Sequence, residues 1–123
     1  MMLKIFDLSG KVAMVTGCNT GLGQGMAVAV AQAGADIVGV NTSAPTETTA
    51  TVTALGRRFH GIRANLADIA GLPSVVDEAC RAFGRLDILV NNAGIIRRED
   101  SLNFSEKDWD DVVDLNLKAV FFL

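Results

Sequence analysis

The chain has 123 residues, of which 50% are apolar and 20% are charged, and its formal net charge is −3. This length fits one domain, and the acidic balance excludes the basic surface on which nucleic-acid binding depends. Two cysteines are too few to crosslink a fold, and we find neither a charged-then-apolar leader before Leu3 nor an apolar run long enough for a bilayer. We therefore expect a cytoplasmic globular protein with free thiols and with no nucleic-acid or membrane partner.

Short apolar runs alternate with longer segments of helical pattern, which is typical of parallel βαβ units. The predicted strands are 11–16, 36–40, 60–63 and 86–90. The predicted helices are 22–33, 46–55, 72–83 and a last one that begins after the N-cap residue Ser105 and runs to residue 123. Right-handed crossovers then predict an α/β fold with a Rossmann-type, doubly wound parallel sheet of strand order 3-2-1-4.

We expect this sheet to be incomplete at its C-terminal half. The fourth strand is apolar enough to require cover on both faces and a partner on each side, yet the predicted order leaves it at an edge. The sequence also stops inside an apolar helical segment, 120–123, without a capping residue. These features predict that part of the sequence is missing after residue 123.

A glycine-rich turn, TGCNTGLG at 16–23, follows the first strand and leads into a helix. Gly17 permits a tight turn, Gly21 lets the backbone approach a pyrophosphate, and Gly23 allows close packing of helix on strand. Amides at the helix start then meet the phosphate charge. The alternative is a tight turn without a ligand, but the strand–turn–helix context favours nucleotide binding. The predicted binding residues of this loop are Gly17, Asn19, Thr20, Gly21, Leu22 and Gly23.

Asn41 follows the second strand, where the residue that reads the adenosine ribose usually lies. An acid at this position binds the 2′-hydroxyl, and a basic residue binds a 2′-phosphate. No basic residue stands at Thr20, Thr42 or Ser43 either, so a 2′-phosphate would find no partner charge. We therefore expect NAD(H) to be preferred, with Asn41 bonding the ribose hydroxyls; the alternative is that Asn41 is a turn residue.

The fourth strand is followed by Asn91-Asn92-Ala93-Gly94. Polar side chains followed by small residues suit a point where the chain leaves a sheet beside a ligand, although an ordinary turn gives the same pattern. In the last helix, Asn116 falls on the apolar stripe formed by Trp109, Val112, Val113 and Val120. A buried amide needs partners, so Asn116 is either a structural plug or the organiser of a proton-carrying water.

Together these features resemble the short-chain dehydrogenase/reductase family over the whole chain. The resemblance implies that Asn91 steadies the sheet, that Ala93 and Gly94 line the adenosine-ribose side of the cleft, and that Asn116 belongs to a catalytic tetrad. It places Asn65 and Leu66 at the adenine, where the family usually has an acid. It also implies a dinucleotide-binding domain in a homotetramer packed through the last helix.

The chain also resembles, more closely, a branch of the family that acts on deoxy-sugar acids in pectin and uronate breakdown. The segments that carry this resemblance are 16–25, 45–48, 54–59, 96–100 and 104–112. The resemblance implies hydride transfer between NAD and a secondary alcohol of a small sugar acid. Arg97 and Arg98 either meet the sugar carboxylate or form a solvated turn. The chain has no tyrosine, and the family's Tyr-x-x-x-Lys pair is expected beyond residue 123, so the chain alone is predicted to be inactive. No metal site is expected.

Two other classes remain open at this point. A noncatalytic dinucleotide-binding module would use the same cleft as a sensor or scaffold. A methyltransferase also has a glycine loop after its first strand, but it gives no role to the segment 91–94.

Overall fold

The computed structural model describes residues 3–123, which form a parallel sheet of strand order β3-β2-β1-β4. Each neighbouring pair of strands runs parallel. This arrangement confirms the predicted doubly wound α/β sheet. The strands are β1 (Val12–Thr16), β2 (Asp36–Asn41), β3 (Phe59–Arg63) and β4 (Ile88–Val90).

The three helices that connect the strands have bounds within one residue of those predicted, and two further helices follow β4. The helices are α1 (Gly21–Gln32), α2 (Thr46–Ala54), α3 (Leu72–Phe83), α4 (Glu106–Val113) and α5 (Ala119–Phe122), and short 3-10 turns lie at Lys4–Phe6, Ile69–Gly71 and Ser101–Asn103. Gly84 ends α3 at a φ of 82°, a left-handed conformation that glycine adopts without steric cost. No helix within residues 3–123 is long and apolar enough to cross a membrane.

Helices cover both faces of the sheet at β1, which is buried at every position. Val12 and Met14 pack in the apolar cluster that includes α3. Ala13 and Val15 point the opposite way, into the cluster that includes Ala27 of α1. This alternation follows from the two-residue period of a strand, and the small residues on the second face let α1 lie close to the sheet.

Two predicted elements need correction. The fourth strand was expected at 86–90 but begins at Ile88, because Asp87 turns its carboxylate back to accept a hydrogen bond from the Val12 amide at 2.9 Å. The last helix was expected to be continuous, but a π-helical segment, Asp114–Lys118, separates α4 from α5. Ser105 does cap α4, since its hydroxyl accepts a hydrogen bond from the Asp108 amide.

Candidate functional site

The glycine-rich loop forms a sharp turn between β1 and α1. Gly17 and Gly21 have φ values of 64° and 58°, in the region that favours glycine. A Cβ added to Gly23 would lie 2.0 Å from the Gly17 carbonyl oxygen and 2.4 Å from Nδ2 of Asn92. The helix start therefore packs directly against the end of β1, as the spacing of the glycines predicts.

The first turn of α1 is open to a ligand. Thr20 is the N-cap residue, but its side chain makes no capping hydrogen bond. The first amides of a helix have no partners within the helix, so they remain available, and the helix dipole favours an anion there. A Cβ built on Gly21 meets nothing within 4 Å. The loop backbone thus presents donors beside open space, which fits a pyrophosphate.

Asn41 lies at the end of β2 and is buried. Its Oδ1 accepts a hydrogen bond from the Cys18 amide at 2.8 Å, and its Nδ2 lies 3.4 Å from Cys18 Sγ. Burial raises the pKa of the Cys18 thiol, which keeps the thiol uncharged. The Asn41 side chain is therefore directed into the loop, and the exposed polar groups at this end of β2 belong to Thr42 and Ser43.

A basic residue that the sequence reasoning missed lies beside this segment. Arg63 ends β3 in register with Asn41, and its Nε donates a hydrogen bond to the Thr42 carbonyl at 2.9 Å. Arg63 therefore places a positive charge beside this position, although the residues after β2 are uncharged. Parallel pairing brings Arg63 there from 21 residues away, and inspection of the residues after β2 alone cannot detect it.

One cleft brings together most of the predicted cofactor residues. Asn65 is exposed, and its Oδ1 accepts a hydrogen bond from the Ala67 amide, whereas Leu66 is buried in the core. The predicted cofactor residues that do not line the cleft are Thr20, Gly21, Leu22, Gly23 and Asn91. The predicted residues that line the cleft are Gly17, Asn19, Asn41, Asn65, Leu66, Ala93 and Gly94.

Asn92, rather than Asn91, connects β4 to the glycine loop. Its Nδ2 donates to the carbonyls of Thr16 and Gly17 at 3.2 and 3.0 Å, and its amide donates to the Thr16 hydroxyl. Asn91 is exposed, and its side chain forms no hydrogen bond with another residue of 3–123. The implied sheet-steadying role therefore moves by one position, because the side chain at 92 faces β1.

Asn116 is exposed, so its predicted place on a buried apolar stripe is wrong. It lies in the π-helical segment, which changes the angular spacing on which the stripe was built. Its Oδ1 accepts from the Ile95 amide and its Nδ2 donates to the Ile95 carbonyl, both at 2.9 Å. A Cβ on Gly94 would lie 3.3 Å from Asn116 Oδ1. Asn116 therefore fixes the segment that forms one wall of the cleft.

Arg97 and Arg98, which follow the cleft-wall segment at Ile95, differ in their surroundings. Arg97 lies 3.7 Å from carboxylate oxygens of both Asp108 and Asp111 on α4. Arg98 is exposed. The charge of Arg97 is thus shared with α4, which fits the solvated charged turn better than a free carboxylate-binding pair.

These features define a class of protein. A family model described as short chain dehydrogenase matches residues 11–123, and the chain belongs to this family. It is 64% identical over 123 residues to 2-dehydro-3-deoxy-D-gluconate 5-dehydrogenase from Escherichia coli (strain K12), a match that covers 100% of the chain and 49% of that protein. The chain thus spans about half the length of the curated relatives it matches.

Solved structures show the same architecture. A Sinorhizobium meliloti 1021 protein assigned as a short-chain alcohol dehydrogenase gives a TM-score of 0.93 at 42% identity, covering 96% of this chain and 48% of that one. An Agrobacterium tumefaciens protein assigned as a 2-deoxy-D-gluconate 3-dehydrogenase, with bound NADP, gives 0.85 at 48% identity, covering 98% and 47%.

Proposed function

We propose that this chain is the dinucleotide-binding domain, and the N-terminal half, of an NAD-dependent short-chain dehydrogenase. The enzyme would interconvert a secondary alcohol and a ketone on a deoxy-sugar acid of the 2-deoxy-D-gluconate or 2-dehydro-3-deoxy-D-gluconate type. The observation that carries the proposal is the uncapped start of α1 beside the open space at Gly21. The names of the most similar relatives supply the substrate class.

The residues present fit a nicotinamide dinucleotide. Amides from Asn19 to Gly23 would hold the pyrophosphate, Asn65 and Leu66 would lie at the adenine, and Ala93 and Gly94 would border the adenosine ribose. The small size of Ala93 and Gly94 and the open glycine loop leave room for the backbone to approach the dinucleotide closely. The cofactor would accept or supply the hydride. The chain's own part would be to bind and orient it.

The family resemblance assigns Asn116 to the catalytic group. Because both ends of its amide are bonded to Ile95, we propose that it acts by holding the backbone of the cleft wall in place during proton transfer. The tyrosine and lysine that would carry the proton belong to the part of the family pattern outside these 123 residues. We further propose a cytoplasmic homotetramer, packed through α4 and α5, that serves pectin breakdown.

The test is turnover of the two sugar acids by the full-length protein with NAD and with NADP. We expect oxidation of 2-deoxy-D-gluconate with a higher kcat/KM for NAD, because Thr42 and Ser43 are uncharged and Nε of the one nearby arginine, Arg63, already donates to the Thr42 carbonyl. Arg63→Gln should lower the NADP rate further and leave the NAD rate unchanged, whereas Arg81→Gln, at an exposed arginine of α3, serves as the matched control. Binding of NADH without turnover of any sugar acid would favour the noncatalytic module, and a clear preference for NADP would overturn the cofactor assignment.

A further inference from the structure

Two buried hydrogen bonds to the backbone of Cys18 hold the glycine loop in place. The Cys18 amide donates to Oδ1 of Asn41 at 2.8 Å, and the Cys18 carbonyl accepts from the Thr48 hydroxyl at 2.7 Å. Thr48 is fully buried and lies on α2, 30 residues further along the chain and outside the glycine motif. Two consecutive peptide groups of the loop are therefore fixed by side chains from other elements.

Because the peptide bond is planar, these contacts also fix the directions of the N–H and C=O groups at the other end of each peptide. In a trans peptide the N–H and the C=O point opposite ways. Since Asn41 holds the Cys18 amide, the Gly17 carbonyl points away from it, and there it accepts a hydrogen bond from Asn92 Nδ2 at 3.0 Å. Since Thr48 holds the Cys18 carbonyl, the Asn19 amide must point away from the interior of the protein.

The Thr48 hydroxyl is itself oriented by a second contact. Gln24 Nε2 of α1 lies 3.2 Å from Thr48 Oγ1 and donates to it. With that lone pair occupied by a donor, the hydroxyl proton is directed to the Cys18 carbonyl. One hydroxyl thus joins α1, α2 and the loop, and it sets the rotation of the peptide between Cys18 and Asn19.

We propose that Thr48 is a positioning residue for the dinucleotide pyrophosphate. By fixing the Cys18 carbonyl towards the interior, it directs the Asn19 amide to the same side as the free amides of the α1 start, where an anion would collect these donors. This inference rests on the proposed function, because it requires that a dinucleotide binds at the loop. Thr48 touches the loop and not the ligand, so its effect on binding is indirect.

The experiment compares three threonine variants of the full-length protein. Thr48→Val keeps the shape and removes the hydroxyl, Thr48→Ser keeps the hydroxyl, and Thr53→Val is the matched control, because the exposed Thr53 bonds only the Thr49 carbonyl of its own helix. Kd is measured by NADH fluorescence titration, and Tm is measured in parallel. We expect Thr48→Val to weaken NADH binding about tenfold, which corresponds to about 1.4 kcal/mol, and the other two variants to bind as the wild type does.

Two smaller ligands separate an effect on the pyrophosphate-binding amides from a general loosening of the cleft. ADP-ribose contains the pyrophosphate and adenosine does not, so Thr48→Val should weaken ADP-ribose binding about tenfold and leave adenosine binding unchanged. Equal losses for both ligands would overturn the inference, and so would unchanged NADH binding. If Thr48→Val fails to fold, Gln24→Leu should show the same selective loss at a smaller size, and its absence would also overturn the inference. A wild-type protein that binds no dinucleotide would instead refute the proposed function.

Discussion

The two halves of the sheet differ in how far contacts among residues 3–123 pair their polar groups and cover their apolar side chains. Around the loop after β1, even the buried polar groups of Asn41 and Thr48 have partners. Around β4 and the last helices, Leu89 lies on a strand that pairs with β1 alone within residues 3–123, and Trp109 and Phe121 are 62% and 80% exposed. The cofactor half is thus shaped by contacts within this chain, whereas the other half offers apolar surface that these contacts leave uncovered.

The strongest way to break the cofactor half is to add one methyl group at Gly23. The new Cβ would lie 2.0 Å from the Gly17 carbonyl oxygen, so the backbone must shift. We expect Gly23→Ala to lower the free energy of unfolding by about 3 kcal/mol and to abolish NADH binding. Denaturant unfolding and NADH titration check this.

Gly25→Ala is the matched control, because an added Cβ at Gly25 meets nothing within 4 Å. Alanine favours a helix interior by about 1 kcal/mol over glycine, so this variant should be slightly more stable and bind NADH normally. Equal behaviour of the two variants would contradict the close packing of α1 on β1.

The join between the two halves can be weakened at Asn92. Asn92→Ala removes the donor that serves the Thr16 and Gly17 carbonyls, and we expect a loss of about 2 kcal/mol in the free energy of unfolding. Asn91→Ala should change it by less than about 0.5 kcal/mol, because surface substitutions away from such contacts have small effects. Urea unfolding of the pair checks this, and a larger loss for Asn91→Ala would restore the role first assigned to it.

A pH-dependent contact also joins β4 to β1. Arg85 donates two hydrogen bonds to Asp87, and the Val12 amide donates a third; together they hold the pKa of Asp87 at about 2. Since this value lies below that of the unfolded chain, the ionised carboxylate stabilises the fold above about pH 4, and the contribution is lost as the pH falls towards 2.

Replacing this carboxylate should therefore flatten the acid limb of the stability curve. We expect Asp87→Asn to lower Tm at pH 7 and to lose less Tm than the wild type between pH 4 and pH 2. The exposed Asp110→Asn is the control, measured in the same thermal scans. Parallel curves for the wild type and Asp87→Asn would show that this contact does not contribute.

The smallest effect is expected on the open half. Lys107 Nζ lies 2.7 Å from Asp111 Oδ2 across one helical turn, and the lysine side chain is largely exposed. Such pairs contribute about 0.3–0.5 kcal/mol, so Lys107→Ala should shift the urea midpoint only slightly, and the shift should vanish in high salt. A large loss would mean that α4 is more constrained than its exposed surface indicates.

The elements that sequence reasoning located well are those with local signals. Alternating apolar runs and terminal glycines such as Gly84 gave the strands, the helices and their order. The errors arose where a neighbour distant in sequence decides the outcome. Arg63 reaches Thr42 because β3 pairs with β2, and Asn92 reaches the loop because the carbonyls of Thr16 and Gly17, more than 70 residues earlier, lie beside it. Asn116 was misplaced because periodicity assumes a uniform helix and is blind to a π-helical turn.

That π-helical turn limits how the last helix can be altered. A segment of this kind contains one residue more than a regular α-helix would need. Deleting one residue between Asp114 and Lys118 would restore regular winding, because the π-helical turn absorbs one residue without the further rotation of about 100° that an α-helix would add. Ala119, which is buried against the core, would then keep its orientation. A deletion between Glu106 and Val113, where the winding is already regular, would instead turn Ala119 away from the core. The π-helical turn is therefore the place in this helix where its length can change without changing which later side chains face the core.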